Sequence, residues 1–197
     1  MVDYAEEADF VRGKRRKKRL SPHEINERRQ ARNAARTEDE WYALARDVVY
    51  RQLAMSDRSE KQLRDALARR DVPEAISEAT IKKFRDSGLI DDSKYALAFV
   101  RLRAVEKSTS RRKLREELRN RGISGQLAEQ ALAQVTDTDE YNSAVELVRK
   151  KMRASARLEP DVARRRIYGA LARRGFSSET IRKAMECAHT DAESDYL

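Results

Sequence analysis

Two histidines, one cysteine and one adjacent pair of aspartates are the first side chains to consider for acid–base, nucleophilic or metal chemistry in this chain of 197 residues. His23 lies in a basic stretch and His189 near the C-terminal end, and neither has a Cys, Asp or Glu at the spacing of a zinc site. Cys187 stands beside Met185 and Ala188 on an apolar helix face, where a small thiol serves as packing. Asp91 and Asp92 follow Gly88-Leu89-Ile90, the place where a carboxylate satisfies the free N–H groups of a new helix. The six glycines are scattered singly, so no loop cradles a phosphate by its backbone. The chain is therefore expected to hold no catalytic residue, no metal and no cofactor.

What remains is cationic. On a helical wheel of about 100° per residue, Arg111, Arg112, Arg115 and Arg119 share one arc beside the apolar stripe of Leu114 and Leu118. Such a row suits phosphates or carboxylates along the helix length, whereas a reader of base edges concentrates Asn, Gln or Arg at a helix start. Arg164 and Arg165 occupy the corresponding place in a later segment, where Tyr168 and Ala172 replace the other two cations. In an earlier segment the same places hold Glu60, Lys61, Arg64 and Ala68. A second basic group, Lys14, Arg15, Arg16, Lys17, Lys18 and Arg19, is expected to form an accessory tail that contacts nucleic acid electrostatically. The net charge of +9 favours a polyanionic partner.

The elements that must position these arginines are helices. Six Gly and three Pro are too few for the turns of a many-stranded sheet, and 39% charged with 6% aromatic residues confines apolar material to narrow stripes. Several small cores are expected rather than one thick one. A single cysteine permits a reducing compartment, and the absence of a long apolar run points to a cytoplasmic chain without contact to membrane.

The helices repeat. Leu63/Leu67, Leu114/Leu118 and Ile167/Leu171 align without gaps, about 51 to 53 residues apart, and each pair leads into the same ending. The endings read Arg69-Arg70-Asp71-Val72, Asn120-Arg121-Gly122-Ile123 and Arg173-Arg174-Gly175-Phe176, with Asp, Gly and Gly at the left-handed position of a Schellman turn. Upstream, Trp41/Leu44/Ala45/Val48, Tyr95/Ala98/Phe99/Leu102 and Tyr141/Ala144/Val145/Val148 predict a first helix in each copy. Downstream, Ile76/Ile81/Phe84, Leu127/Leu132/Val135 and Ile181/Met185/Ala188 predict a third. Capping boxes at Thr37–Glu40 and Ser59–Gln62, with Pro73 and Pro160 near helix starts, agree. The fold class is thus all-α, three tandem three-helix repeats in an elongated, solenoid-like array that can curve. The expected limits are a disordered extension over 1–36, repeats over 37–90, 91–137 and 138–190, and a tail over 191–197.

The stretch Gly88-Leu89-Ile90-Asp91-Asp92-Ser93-Lys94-Tyr95-Ala96-Leu97-Ala98-Phe99-Val100-Arg101-Leu102-Arg103, with Leu114-Arg115-Glu116-Glu117-Leu118 and Arg121-Gly122-Ile123 after it, resembles the RecX family of recombination regulators. The run Arg164-Arg165-Arg166-Ile167-Tyr168-Gly169-Ala170-Leu171-Ala172-Arg173-Arg174-Gly175-Phe176 resembles the same family. The resemblance spans about residues 40–189 and implies a non-enzymatic protein of DNA repair and recombination, linked to the SOS response. It implies binding along the groove of the RecA filament, with restraint of ATP hydrolysis, strand exchange and filament growth. Three features depart from the family pattern: Glu106 to Ser110 lacks the Gly and Pro often found there, Gln62 replaces a frequent Glu, and the basic extension lies outside the family core. The expected partners are the RecA filament and, through charge, single- or double-stranded DNA, with the chain itself a monomer. The competing readings are an autonomous DNA-binding protein built of helix-turn-helix-like modules and, more weakly, an adaptor for an acidic protein.

Overall fold

The computed structural model describes residues 21–107 and 109–194, apart from the side chains of 105–107, 189 and 191–194, and its regular structure is entirely α-helical. It falls into two units, Met1–Glu40 and Trp41–Leu197. The first contains α1 (Pro22–Ala34), inside the stretch expected to be a disordered extension. Its cause is local chemistry that an apolar stripe does not reveal. Ser21 Oγ accepts from the Glu24 N–H at 3.2 Å, Glu24 Oε2 accepts from the Ser21 N–H at 2.7 Å, and Pro22 occupies the first turn. The helix buries no residue. The basic group Lys14 to Arg19 lies outside the described residues.

The second unit carries three successive helix triplets. They are α2 (Glu38–Met55, beginning in the first unit), α3 (Glu60–Ala68) and α4 (Glu74–Asp86), then α5 (Asp92–Lys107), α6 (Arg111–Asn120) and α7 (Gly125–Leu132). The third comprises α8 (Asp137–Ala154), α9 (Pro160–Arg173) and α10 (Ser178–Ser194), so its last helix runs past residue 190. Three separate cores lie beneath them, one per triplet, centred on Leu63 and Leu67, on Leu114 and Leu118, and on Ile167 and Leu171.

Each second helix ends in the same way. Val72, Ile123 and Phe176 donate their N–H back to Leu67, Leu118 and Leu171 at 3.2, 3.0 and 3.3 Å, while Asp71, Gly122 and Gly175 take φ of 59°, 83° and 87°. These are Schellman turns, and the apolar residue after each is buried.

Two stripes differ from expectation. On α5 the buried residues are Ala96 and Val100, with Tyr95 and Phe99 partly covered, while Ala98 and Leu102 face solvent. On α7 Leu127 is exposed, and Ala128, Ala131 and Leu132 turn inward. The core beneath this triplet includes the small side chains Ala96 on α5 and Ala128 and Ala131 on α7, which suit close backbone approach.

The triplets meet end to end through their second helices. At the first joint the C-terminal turn of α6 abuts the N-terminus of α3: Ser59 Oγ donates to Arg121 O at 2.7 Å, and the Glu60 N–H donates to Asp92 Oδ1 at 2.8 Å. At the second the turn of α9 abuts α6: the Ser110 N–H donates to Arg174 O at 3.1 Å, and the Arg111 N–H donates to Glu140 Oε2 at 3.0 Å. The carbonyl end of one helix faces the amide end of another, so free terminal groups satisfy each other and the helix dipoles align. This contact explains the glycines. A Cβ on Gly122 would stand 2.6 Å from Lys61 Cβ, and one on Gly175 would stand 2.8 Å from Lys113 Cβ and overlap the Ser110 hydroxyl. Asp71 lies exposed in the first triplet, where the same turn carries a side chain at the cost of a left-handed φ.

Candidate anion-binding groove at the second joint

The second joint borders an open groove of about 580 Å³ between α6, the start of α7 and the end of α9. Its wall carries five cations, Arg112, Lys113, Arg115, Arg119 and Arg173, against two carboxylates, Glu116 and Glu129. Both carboxylates are engaged. Lys113 Nζ donates to both oxygens of Glu116 at 2.9 Å, and Arg115 grips Glu129 through Nε at 2.6 Å and Nη2 at 2.9 Å. These hydrogen bonds hold both carboxyl groups below the ordinary glutamate range, so each stays ionised at neutral pH. Five cations against two carboxylates leave an excess of three positive charges. Arg112 gives its Nε to Gly175 O at 3.1 Å, and the exposed Arg119 and Arg173 make no hydrogen bond or salt bridge among the described residues, although the charges of Arg112 and Arg119 also act on Glu116. Planar forks with open N–H groups suit phosphate or carboxylate oxygens.

The structure gathers only part of the arginine set expected from the wheel. Arg112, Arg115 and Arg119 line the groove, but Arg111 does not: its Nη1 pairs with Asp137 Oδ1 at 2.9 Å at the start of α8. Arg115 lines the groove with its Nε and Nη2 engaged by Glu129. Arg64 makes the same fork onto Glu78 in the first triplet, through Nε at 2.6 Å and Nη2 at 3.2 Å, so this pair is the repeat's own clamp between second and third helices. In the third triplet the Tyr168 and Ser178 hydroxyls meet at 2.9 Å instead. Arg164 is exposed on α9 outside the groove, and Arg165 donates to Asp161 O on its own helix at 3.3 Å and borders a separate depression. Lys113 and Arg173 are the groove residues that sequence reasoning missed. Arg173 precedes the Schellman glycine by two residues, a position that faces α6 only because the triplets dock end to end.

The aspartate pair acts as caps. Asp91 Oδ1 accepts from the Ser93 and Lys94 N–H groups at 2.9 and 3.0 Å, capping α5, while Asp92 caps α3 across the first joint. Burial pushes the Asp92 carboxyl above the ordinary aspartate value. Among the described residues no helix is long and apolar enough to cross a membrane.

Family models for the first, second and third three-helix domains of RecX match residues 45–84, 91–132 and 137–185. A regulatory protein RecX of Streptomyces lividans is 36% identical over 153 residues, covering 76% of this chain and 81% of its own. Another from Thermobifida fusca is 36% identical over 140 residues, covering 71% and 76%. The crystal structure of RecX from Lactobacillus salivarius shares the fold, with a TM-score of 0.65 at 23% identity over 77% of this chain and 99% of that one. A second RecX crystal structure matches with a TM-score of 0.66 at 25% identity, covering 85% and 80%. Three helix triplets in the family's order, matched over most of their length, make this chain a member of the RecX family of regulatory proteins.

Proposed function

We propose that this protein binds the RecA–DNA filament and restrains its ATP hydrolysis, strand exchange and growth, with the groove at the second joint as a principal contact. Membership in a family of regulators named RecX supports the partner. The observation that carries the contact is an excess of three cations over carboxylates on one concave wall, where Arg112, Arg119 and Arg173 make no salt bridge among the described residues. A filament of nucleic acid and ATPase offers both phosphates and carboxylates to such a wall, and charge-assisted bonds there add strength and orientation. The protein performs no chemical step in this reading. It acts in the cytoplasm as a monomer, and its net charge of +9 adds a salt-dependent affinity for bare DNA.

The test is RecA ATP hydrolysis on single-stranded DNA with the protein at or below equimolar ratio. The native chain lowers the rate, and an Arg119→Gln, Arg173→Gln variant lowers it much less while keeping its circular dichroism. An Arg111→Gln, Arg164→Gln variant, altered outside the groove, inhibits like the native chain. No inhibition by the native chain overturns the function. Full inhibition by the Arg119→Gln, Arg173→Gln variant overturns the contact.

A further inference from the structure

We propose that α1 is a duplex-DNA-binding helix that lies in the major groove with its arginine face on the flanking phosphates. It belongs to the first unit, upstream of the residues 45–185 over which the family models match, and its role is separate from the filament contact.

The face is one-sided. Around the helix at about 100° per residue, Ile25, Arg28, Arg29 and Arg32 fall within one arc of about 100°, while Glu24 and Glu27 lie outside it. Glu24 closes the capping box, and Glu27 stands 3.5 Å from His23 on the other side of the helix. Arg29 gives one N–H to Asn26 Oδ1 at 3.1 Å, and the exposed Arg28 and Arg32 have no partner among the described residues. A helix of 13 residues that buries nothing is marginal in water, since only tertiary or ligand contacts offset the cost of ordering so short a segment.

The chemistry of the face selects the ligand. Docking into a protein groove needs apolar anchors at i, i+3 or i+4 and i+7, and lying on a membrane needs an apolar face. The one large apolar side chain here is Ile25, 55% exposed. What the arc presents is guanidinium forks, which match phosphate oxygens. The helix is about 20 Å long and fits the major groove, about 12 Å wide, whose two edges are rows of phosphates. The basic run that ends at Arg19, two residues before the Ser21 cap, continues the positive charge along the chain.

Fluorescence anisotropy with a 20-base-pair duplex and a 20-nucleotide single strand, without RecA, tests this in the full chain. The Arg28→Gln, Arg32→Gln variant binds duplex about tenfold or more weakly at low salt, with a salt slope shallower by about 1.8, near 0.9 for each phosphate that is no longer neutralised. Its affinity for the single strand falls much less. An Ala31→Gly, Ala34→Gly variant keeps every charge but weakens the helix, so it loses duplex affinity while keeping the slope. Unchanged duplex affinity and slope in the arginine variant overturn the proposal. So does an equal fall in affinity for the single strand, or native duplex binding by the glycine variant, which removes the helix as the bound form.

Discussion

The two joints of the second unit are built alike and charged differently. In both, a buried serine at the start of one second helix meets the Schellman turn of the next, and a carboxylate from the following triplet caps the first amide. At the positions of the first joint that correspond to the groove, the cations are answered within hydrogen-bonding distance: Lys61 pairs with Asp65, and Arg64 with Glu60 and Glu78, while the exposed Arg69 stands apart from these pairs. The places of Arg119 and Arg173 are held there by Ala68 and Asn120. Mechanical fit is thus the repeated part of the joint and charge the variable part, which is how one architecture supports a ligand surface at one position and a neutralised surface at the other.

The comparison breaks most severely in the cores. Leu67, Leu118 and Leu171 are fully buried at equivalent positions, so each cut to Ala is expected to cost about 2–5 kcal/mol. Because each core is separate, Leu171→Ala should loosen hydrogen exchange first over residues 139–189. Equal loosening in all three triplets would show one cooperative core instead.

Next come the turns. Gly122→Ala and Gly175→Ala are each expected to destabilise by about 2–4 kcal/mol in chemical denaturation, combining a left-handed φ with overpacking against the neighbouring helix. Asp71→Gly relieves the same left-handed φ at the equivalent position, and its midpoint should move little or upward. A destabilisation at Asp71 as large as at the glycines would remove the docking explanation.

The serines sharpen the contrast. Ser59 Oγ both accepts from the Gln62 N–H at 3.4 Å and donates across the joint, whereas Ser110 Oγ accepts from the Lys113 N–H at 3.2 Å and leaves the crossing to its backbone. Ser59→Ala should therefore cost about 2 kcal/mol and Ser110→Ala about 1 kcal/mol in thermal melts. The reverse order would contradict the bonding pattern.

The smallest effect is on pH. The hydrogen bond from Arg115 lowers the Glu129 carboxyl below its ordinary 4.5, so the stabilisation is present above that value and fades as pH falls through the lowered one. Glu129→Gln should flatten this acid-side decline slightly, read as denaturation midpoints at pH 6 and pH 3. Glu78→Gln should act alike in the first triplet, because Arg64 lowers that carboxyl in the same way.

Helix identity, caps and Schellman turns were legible in the sequence because each depends on residues within a few positions of one another. Thr37 with Glu40, Ser59 with Gln62, and the endings after Leu67, Leu118 and Leu171 needed no distant partner. The same locality explains why α1 escaped notice: its capping box was present, but a search by apolar stripe does not register a helix that buries nothing. The site was legible only in part. A wheel places Arg111, Arg112, Arg115 and Arg119 on one arc, yet it carries no information about Asp137 and Glu129, which lie 26 and 14 residues away and pair with Arg111 and Arg115. Tertiary structure alone decided that Arg173 lines the same groove as Arg119, that α5 turns Ala96 and Val100 inward, and that Gly122 and Gly175 have a second reason to be glycine. Local hydrogen bonding determines where the helices begin and end, whereas the pairing of long side chains depends on which surfaces docking brings together, and that is settled between triplets rather than within them.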